Sequence, residues 1–475
     1  MKVLLVRPPA PNPLSFTKVL DNEPLELEYL HTALKACGYD DVIYDGLFEE
    51  RSIDEVLIAE KPDVLAMTGY ITQEKLMIRF ASTAKKIDPT IVTVIGGVHA
   101  QLNYERIYHD DVDFIARSES LDAFTDLIRY LDNRKGRPDA SNQSSNGDVR
   151  PDPSNQSSNG EIRPESINGL CYRENGVYRT NPLTPSDIDR LPIPDRSFFY
   201  ANRHQFRYLD LTEVATVKTS FSCPYGCNFC YCTLLSGGRY AVRDLALVIE
   251  EIEGLDCQNI QIVDDDFLVD TNRLWAFIGM IRERSIRKTF ICYARADFVA
   301  EHPEIVQALA DIGFRYFLVG LEAVTDAELS GYNKKTSVDA NRRCVEVIRS
   351  SGADCIGLMI APISATRAYF RNLYHWVVEN RLKYVTVSIF TPIPGTPLYE
   401  EYKDRIISDD IEDWDFLHLV LKPEHLTAGQ FYREYYKLFL KLYRIARKAG
   451  IYDFMDLAFY RNMLSDYLKR KMRGA

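Results

Sequence analysis

Short apolar runs alternate with amphipathic stretches through residues 1 to about 130, the pattern of a doubly wound parallel sheet. Val3–Val6 reads as a buried strand that Pro8-Pro9 closes. Leu25–Ala36 follows as a helix, with Leu25, Leu27, Leu30 and Leu34 forming its inward face. Asp41–Tyr44 is a short strand, Ile53–Ala59 a helix, and Val64–Met67 a strand ending in Thr68-Gly69-Tyr70. Lys75–Lys86 is helical, Ile91–Ile95 runs as a strand into Gly96-Gly97-Val98-His99, and Phe114–Ala116 leads to Arg117-Ser118-Glu119. Ligands of such sheets bind beyond the carboxyl ends of the strands, where Pro8, Thr68-Gly69, Gly96-Gly97 and Glu119 all fall.

The pattern then lapses. Between Arg137 and Pro164 a Ser, Asn, Gly and Pro segment repeats itself, RPDASNQSSNGDV then RPDPSNQSSNGEI, with almost nothing to bury. Leu170–Arg173 and Val177–Arg179 flank Glu174-Asn175-Gly176 and predict a hairpin, and Leu191-Pro-Ile-Pro-Asp195 an extended connector. Periodicity returns with strands at Val214–Phe221, Ile260–Asp264, Phe290–Tyr293, Tyr316–Glu322, Cys355–Ala361 and Tyr384–Phe390. Helices centred near Ile249, Phe277, Val306, Cys344 and Tyr374 separate them. Six such units are two short of a closed barrel, so a partial TIM-like (β/α)6 barrel is expected, with its site at the carboxyl ends of the strands. From Asp410 onward the chain reads as helical, and Phe431, Tyr432, Tyr435, Tyr436, Phe439 and Tyr443 fall at the spacing of packing residues.

The α/β organisation expected is a Rossmann-like domain over 1–133, a flexible linker over 134–166 and a connector with a hairpin over 167–200. A partial barrel over 201–400 and a helical region over 401–475 complete it. A chain of 475 residues needs more than one core, and 46% hydrophobic content with mixed charge describes a globular protein. A net charge of −11 argues against broad binding to nucleic acid, though it leaves room for a local patch or a peripheral membrane contact. Ten cysteines without a pairing pattern, and no secretory signal, point to a reducing cytoplasm. No apolar run is long enough to span a bilayer.

Chemistry concentrates in Ser222-Cys-Pro-Tyr-Gly-Cys-Asn-Phe-Cys230, directly after the first barrel strand. Cys223, Cys227 and Cys230 can ligate three irons of a 4Fe-4S cluster, which leaves the fourth iron open to a small molecule. Zinc is the weaker reading, because ribbon sites use paired C-x2-C motifs and no second pair follows. Cys230-x-Cys232 is too tight to chelate one metal. Asp264-Asp265-Asp266 closes the second barrel strand, Arg295 the third and Glu322 the fourth. A solvated turn or an ordinary ion pair competes at each, and Asp270 is placed to cap the next helix.

The cysteine run resembles the signature of radical S-adenosylmethionine enzymes, in which the aromatic before the last cysteine, here Phe229, packs near the adenine. The same resemblance implies S-adenosylmethionine contacts for Asp264, Asp265, Asp266, Arg295 and Glu322, the last within Gly320-Leu-Glu. Gly357-Leu-Met-Ile-Ala-Pro362 departs from the family's fifth strand, while Phe390-Thr-Pro-Ile-Pro-Gly-Thr-Pro-Leu-Tyr399 is similar to its cobalamin-bearing branch. The N-terminal third resembles the cobalamin-binding domains of that branch, which implies cobalamin contacts for Pro8, Pro9, Thr68, Gly69, Tyr70, Gly96, Gly97, His99 and Glu119. Asp-x-His-x-x-Gly is absent, so no protein histidine is expected below the cobalt. His99 is expected at the ligand's periphery, and Tyr70 against the corrin or in the core. No G-x-G-x-x-G follows the first strand, which weakens a dinucleotide reading.

The resemblance implies an enzyme that uses a 5′-deoxyadenosyl radical to methylate an unactivated carbon, with an external electron donor such as flavodoxin or ferredoxin. An anaerobic cyclase or ring-rearranging enzyme is the alternative, and a non-catalytic cobalamin or iron–sulfur sensor the remaining one. No single residue stands out as catalytic, and the substrate is not legible.

Overall fold

The computed structural model describes residues 1–10, 20–135, 162–185, 187–453 and 461. Most of the repeated segment, residues 137–161, lies outside the described residues. In chain order the first half contributes β1 (Lys2–Arg7), β2 (Leu20–Asp21), β3 (Asp40–Asp45), β4 (Val64–Thr68), β5 (Val92–Gly96), β6 (Phe114–Ala116), β7 (Leu170–Glu174) and β8 (Val177–Thr180). All but β2 join one sheet in the order β3-β1-β4-β5-β6-β7-β8. Alternation along β1 drives the layering: Val3 and Leu5 enter one apolar cluster, Leu4 and Val6 the other, on opposite faces. Between strands, Ser52 and Glu55 form a reciprocal capping box that starts the Ile53–Glu60 helix.

Five parallel strands, β3 to β6, form the doubly wound part, and the chain changes direction between β1 and β4. That switch point puts the ends of β1 and β4, Arg7-Pro8-Pro9 and Thr68-Gly69-Tyr70, at one crevice. The expected hairpin forms, but it does not stand apart in the connector. Strand β7 pairs antiparallel with β6, so the hairpin extends the first sheet.

The second half adds β9 (Arg207–Tyr208), β10 (Leu211–Thr212), β11 (Val214–Val217), β12 (Ser220–Phe221), β13 (Ala241–Val242), β14 (Asn259–Ile262), β15 (Thr289–Arg295), β16 (Phe314–Glu322), β17 (Asp354–Ala361) and β18 (Tyr384–Ile389). Strands β11-β14-β15-β16-β17-β18 pair parallel in that order, and the two outer strands do not pair with each other, so the barrel is open. Its interior is filled at the amino ends by Tyr208, Val214, Ile291, Tyr316, Leu318 and Tyr384. The larger core lies between strands and helices and reaches Phe431, Tyr435, Leu438 and Leu442 of the Ala428–Lys448 helix.

Two sequence expectations are corrected. The strand expected over 214–221 breaks at Lys218-Thr219, because the Thr219 and Ser220 amides donate to Asp264 instead of to a sheet neighbour. Beyond the break, β12 pairs with β13. The chain from Asp410 carries only a short 3-10 turn, Ile411–Asp413, before the helix that begins at Ala428. Its backbone is claimed by distant partners: Ile389 donates to Phe416 at 2.7 Å, Ile407 to Val420 at 2.9 Å and Glu424 to Ile363 at 3.0 Å. Tertiary pairing overrides local preference there.

What joins the two halves is a buried charge network. Arg196, in the connector, donates to Glu23 at 2.6 Å, to Glu28 at 3.1 Å and to Glu251 at 2.6 Å. Arg243, whose side chain is fully buried, takes the other Glu251 oxygen at 2.8 Å and reaches Tyr29 Oη at 3.2 Å. Glu23 and Glu28 flank the start of the Leu25–Ala36 helix, and Glu251 sits on Leu245–Gly254 of the barrel. Glu28 also accepts from the Phe199 amide and Glu23 from Thr216, so the carboxylates fix backbone from both halves. Strand β2 adds a second seam by pairing with β9.

Removing the guanidinium leaves Glu23 and Glu28 buried without their cation, and Glu251 with Arg243 alone. Arg196→Met is expected to cost about 3–5 kcal/mol of stability, measured by denaturant unfolding, and an unchanged midpoint would contradict the role assigned to Arg196. Burial, reinforced by Glu23, pushes the Glu28 carboxyl up from 4.5. The folded chain then holds a proton that the unfolded chain releases, so this group's contribution to stability falls as pH rises above 4.5. Glu28→Gln should flatten that slope, and a steeper loss of stability at alkaline pH in the variant would refute the assignment.

Candidate cofactor sites at two facing strand mouths

The cysteine loop begins where β12 ends, with Ser222 held at a φ of 61°. Its hydrogen bonds come from across the barrel mouth. Asn228 donates its amide to Tyr332 at 3.0 Å, Asn333 donates to Gly226 at 2.6 Å and Leu398 donates to Asn228 at 3.1 Å. Phe229 meets Tyr332 edge to face, centroids 5.4 Å apart. The loop is therefore positioned by the segments that follow β16 and β18.

Cys223, Cys227 and Cys230 are all free thiols of intermediate burial. Burial pushes Cys223 up to about 12 and Cys227 upward, whereas a hydrogen bond from Cys232 pulls Cys230 down. Among the described residues no group of three His, Cys, Asp or Glu is gathered as for a single ion. Two cations attend Cys227: Arg295 lies 3.7 Å from its sulfur, and the Lys334 ammonium opposes its rise. The donor set and its cations fit a cluster of thiolates.

The other predicted residues separate into two groups. Asp264 is buried and spends its oxygens on Thr219 and Ser220, with Thr219 amide to Asp264 at 2.6 Å. It is a structural tie at the split strand. Asp266, 2% exposed, accepts from the Leu268 amide through one oxygen, while its other oxygen has no partner. Burial pushes its carboxyl up to about 8. Asp265 likewise keeps one buried oxygen unpartnered. Orphaned acceptors beside the cysteine loop fit a ligand that brings its own donors, such as the amino group of S-adenosylmethionine.

Arg295 is held by Asp297 at 2.6 and 3.0 Å and stacks over the Tyr225 ring at 4.0 Å. Glu322 occupies the left-handed region, with φ 59°, and pairs with Lys334 at 2.8 Å in a buried setting. A β-carbon at Gly320 would run into the ends of the Glu322 and Lys334 side chains and push that ion pair aside. Sequence reading missed Lys334. Its only signal is a Lys-Lys pair after a short helix, which looks like a solvated turn.

Facing this mouth is the crevice of the first sheet. Gln73 ties its two edges together, donating to Pro8 O at 2.6 Å and accepting from the Tyr70 amide at 2.9 Å. Gly97, φ 86°, lets β5 close on β4, because a β-carbon there would strike Thr68 Oγ1. Tyr70, just beyond β4, is 59% exposed. The two mouths meet where Ser236, just after the cysteine loop, donates its amide to Gln101 in the Val98–Asn103 helix at 3.2 Å. The glycines at the ends of β4 and β5 suit the close approach of a large planar ligand such as a corrin. Glu119 opens instead onto a neighbouring cavity of about 210 Å³, shared with Asn168, Phe221, Ser236 and Arg239. His99 is corrected: its ring is buried and bonded to Glu74 at 2.7 Å, so it braces a helix and does not meet a ligand's edge.

Comparison with known proteins follows this division. Residues 15–128 match the B12 binding domain, and residues 217–377 match the Radical SAM superfamily. The hopanoid C-3 methylase of Methylococcus capsulatus is 26% identical over 94% of this chain and 80% of its own length. The anaerobic magnesium-protoporphyrin IX monomethyl ester cyclase of Rubrivivax gelatinosus is 23% identical over 86% of this chain and 71% of its own. The structure of the cobalamin-dependent S-adenosylmethionine radical enzyme OxsB superimposes with a TM-score of 0.67 at 14% identity, covering 99% of this chain and 75% of that one. That likeness establishes the shared fold.

Anaerobic reconstitution is expected to load about four irons per chain. Cys223→Ala, Cys227→Ala and Cys230→Ala should each lose the cluster's visible absorbance, while Cys232→Ala keeps it. Full iron content in Cys227→Ala would overturn the ligand assignment.

Proposed function

We propose that this chain, a cobalamin-dependent radical S-adenosylmethionine enzyme, transfers a methyl group to an unactivated carbon of a biosynthetic substrate. The observation that supports this most directly is that the two mouths meet, with Ser236 just beyond the cysteine loop donating its amide to Gln101 just beyond β5 at 3.2 Å. When bound, the cluster with S-adenosylmethionine supplies a 5′-deoxyadenosyl radical, and cobalamin supplies a transferable methyl group. Everything else falls to the protein's own residues.

Cys223, Cys227 and Cys230 hold three irons, and the open oxygens of Asp266 and Asp265 accept from the S-adenosylmethionine amino group. Arg295 and Lys334 stand near Cys227, and each is oriented by a carboxylate partner, Asp297 and Glu322. Phe229, set by Tyr332, offers an apolar edge to the adenine. Pro8, Pro9, Thr68, Gly69, Tyr70, Gly96 and Gly97 would hold the corrin, and Glu119, on the neighbouring cavity, would reach its tail. Electrons come from an external flavodoxin or ferredoxin, and ten free cysteines suit a reducing cytoplasm.

A second reading has a specific basis, since one of the relatives is a cyclase that acts on a tetrapyrrole. In that reading cobalamin serves without methyl transfer.

Reconstituted protein should be supplied with methyl-labelled S-adenosylmethionine, a reductant and substrates of the polycyclic lipid and tetrapyrrole classes. Label in the product and release of 5′-deoxyadenosine are expected, both abolished in Cys227→Ala. Product formed without label would favour the cyclase reading. Cofactor binding with no 5′-deoxyadenosine release would mean a sensor.

A further inference from the structure

The Ala428–Lys448 helix has two faces of opposite character. Phe431, Tyr435, Leu438, Leu442 and Ala446 are buried against the barrel. Turned away from them, at the spacing of the opposite face, stand the exposed Arg433, Lys437, Arg444, Arg447 and Lys448, with Lys441 at the margin. Lys437 pairs with Glu434 at 3.0 Å. Lys441 instead lies over the Tyr374 ring at 4.6 Å.

Apolar side chains interrupt this basic face. Leu440 is 54% exposed at its centre, Tyr436 is 38% exposed one turn earlier, and Phe439 is 46% exposed at its side. A solvated face of a helix has no reason to hold these groups in water. The charge is equally out of character, because the whole chain carries −11. The sequence beyond the helix continues the bias, ending in Lys469-Arg470-Lys471-Met472-Arg473-Gly474-Ala475.

Cations around a small apolar centre match the chemistry of an anionic bilayer surface. The ammonium and guanidinium groups meet lipid phosphates, long stems and the Tyr436 ring lie at headgroup depth, and Leu440 reaches toward the acyl boundary. A purely acidic protein or nucleic acid would match the charge but leave Leu440 and Phe439 unaccounted for. No helix among the described residues is long and apolar enough to cross a membrane, so contact of this kind would lie on the surface. We propose that the outer face of the Ala428–Lys448 helix docks the protein on an anionic lipid membrane. This rests on the helix alone and is independent of the reaction proposed above.

Flotation of the full-length holoenzyme with vesicles tests it. The protein should float with vesicles of equal parts phosphatidylcholine and phosphatidylglycerol at low salt, and not with phosphatidylcholine alone. Raising salt to about 0.5 M should release it, because the Debye length falls below the reach of the side chains. Lys437→Glu with Arg444→Glu should weaken partitioning by about tenfold or more, while the barrel keeps its iron. Leu440→Ser should weaken it several-fold, by removing the apolar anchor. Equal flotation with neutral vesicles, or a charge-reversed variant that floats like the parent, would overturn the proposal. So would retention on heparin without flotation, which would mark a surface for polyanions.

Discussion

Arg196 is the constraint on which the arrangement of the two halves depends. Its guanidinium, with only 5% of the side chain exposed, sits among Glu23, Glu28 and Glu251. A buried guanidinium is tolerated only where carboxylates and carbonyls meet it, as they do at both terminal nitrogens of Arg196, so the connector, the first helix and the barrel helix must come together in one geometry. A hydrophobic seam could slide by a residue. This one cannot slide without leaving charges unpaired. The carboxyl-end segments of the two sheets meet across the same interface, where Ser236 donates to Gln101 at 3.2 Å and Lys75 pairs with Asp410 at 2.9 Å.

Chemistry that uses two large cofactors on one substrate requires that kind of rigidity. Reacting atoms have to be held near contact distance, and an error of an ångström between domains would be costly. The residues at the two mouths are correspondingly over-determined. Gln73 bridges the two edges of the crevice, Asn333 and Leu398 pin the cysteine loop, and Glu322 is held in a left-handed conformation by Lys334. Strain of that sort persists only where surrounding contacts impose it.

Much of this was readable from the chain. Apolar periodicity located the strands, because burial on both faces leaves a run such as Val3–Val6 no other environment. Cysteine spacing identified the cluster loop, because three ligands within eight residues have few other uses. The Arg196 network was not readable, since Glu23 lies 173 positions away and Glu251 55 positions away. Nor could spacing tell apart the acids at the end of β14. Asp264 and Asp266 are two residues apart on one turn, yet one carboxylate is consumed by Thr219 and Ser220 and the other keeps an open oxygen. His99 misled for the same reason: a histidine after two glycines suggests a ligand, and only the fold supplies Glu74 as its partner.

The difference between those acids also bears on how charge is balanced at the barrel mouth. Arg295 and Lys334 are already paired with Asp297 and Glu322, so near Cys227 the protein alone is close to neutral. Three thiolates would make it negative. The surroundings answer this by burying Asp266 so deeply that its carboxyl is pushed up to about 8. An acid that stays protonated near neutral pH adds no charge beside the thiolates, yet it keeps an oxygen free to accept. A positively charged ligand amine arriving there would draw the proton off and create the ion pair only when it binds. The site thus avoids holding an unpaired buried carboxylate before its ligand is present.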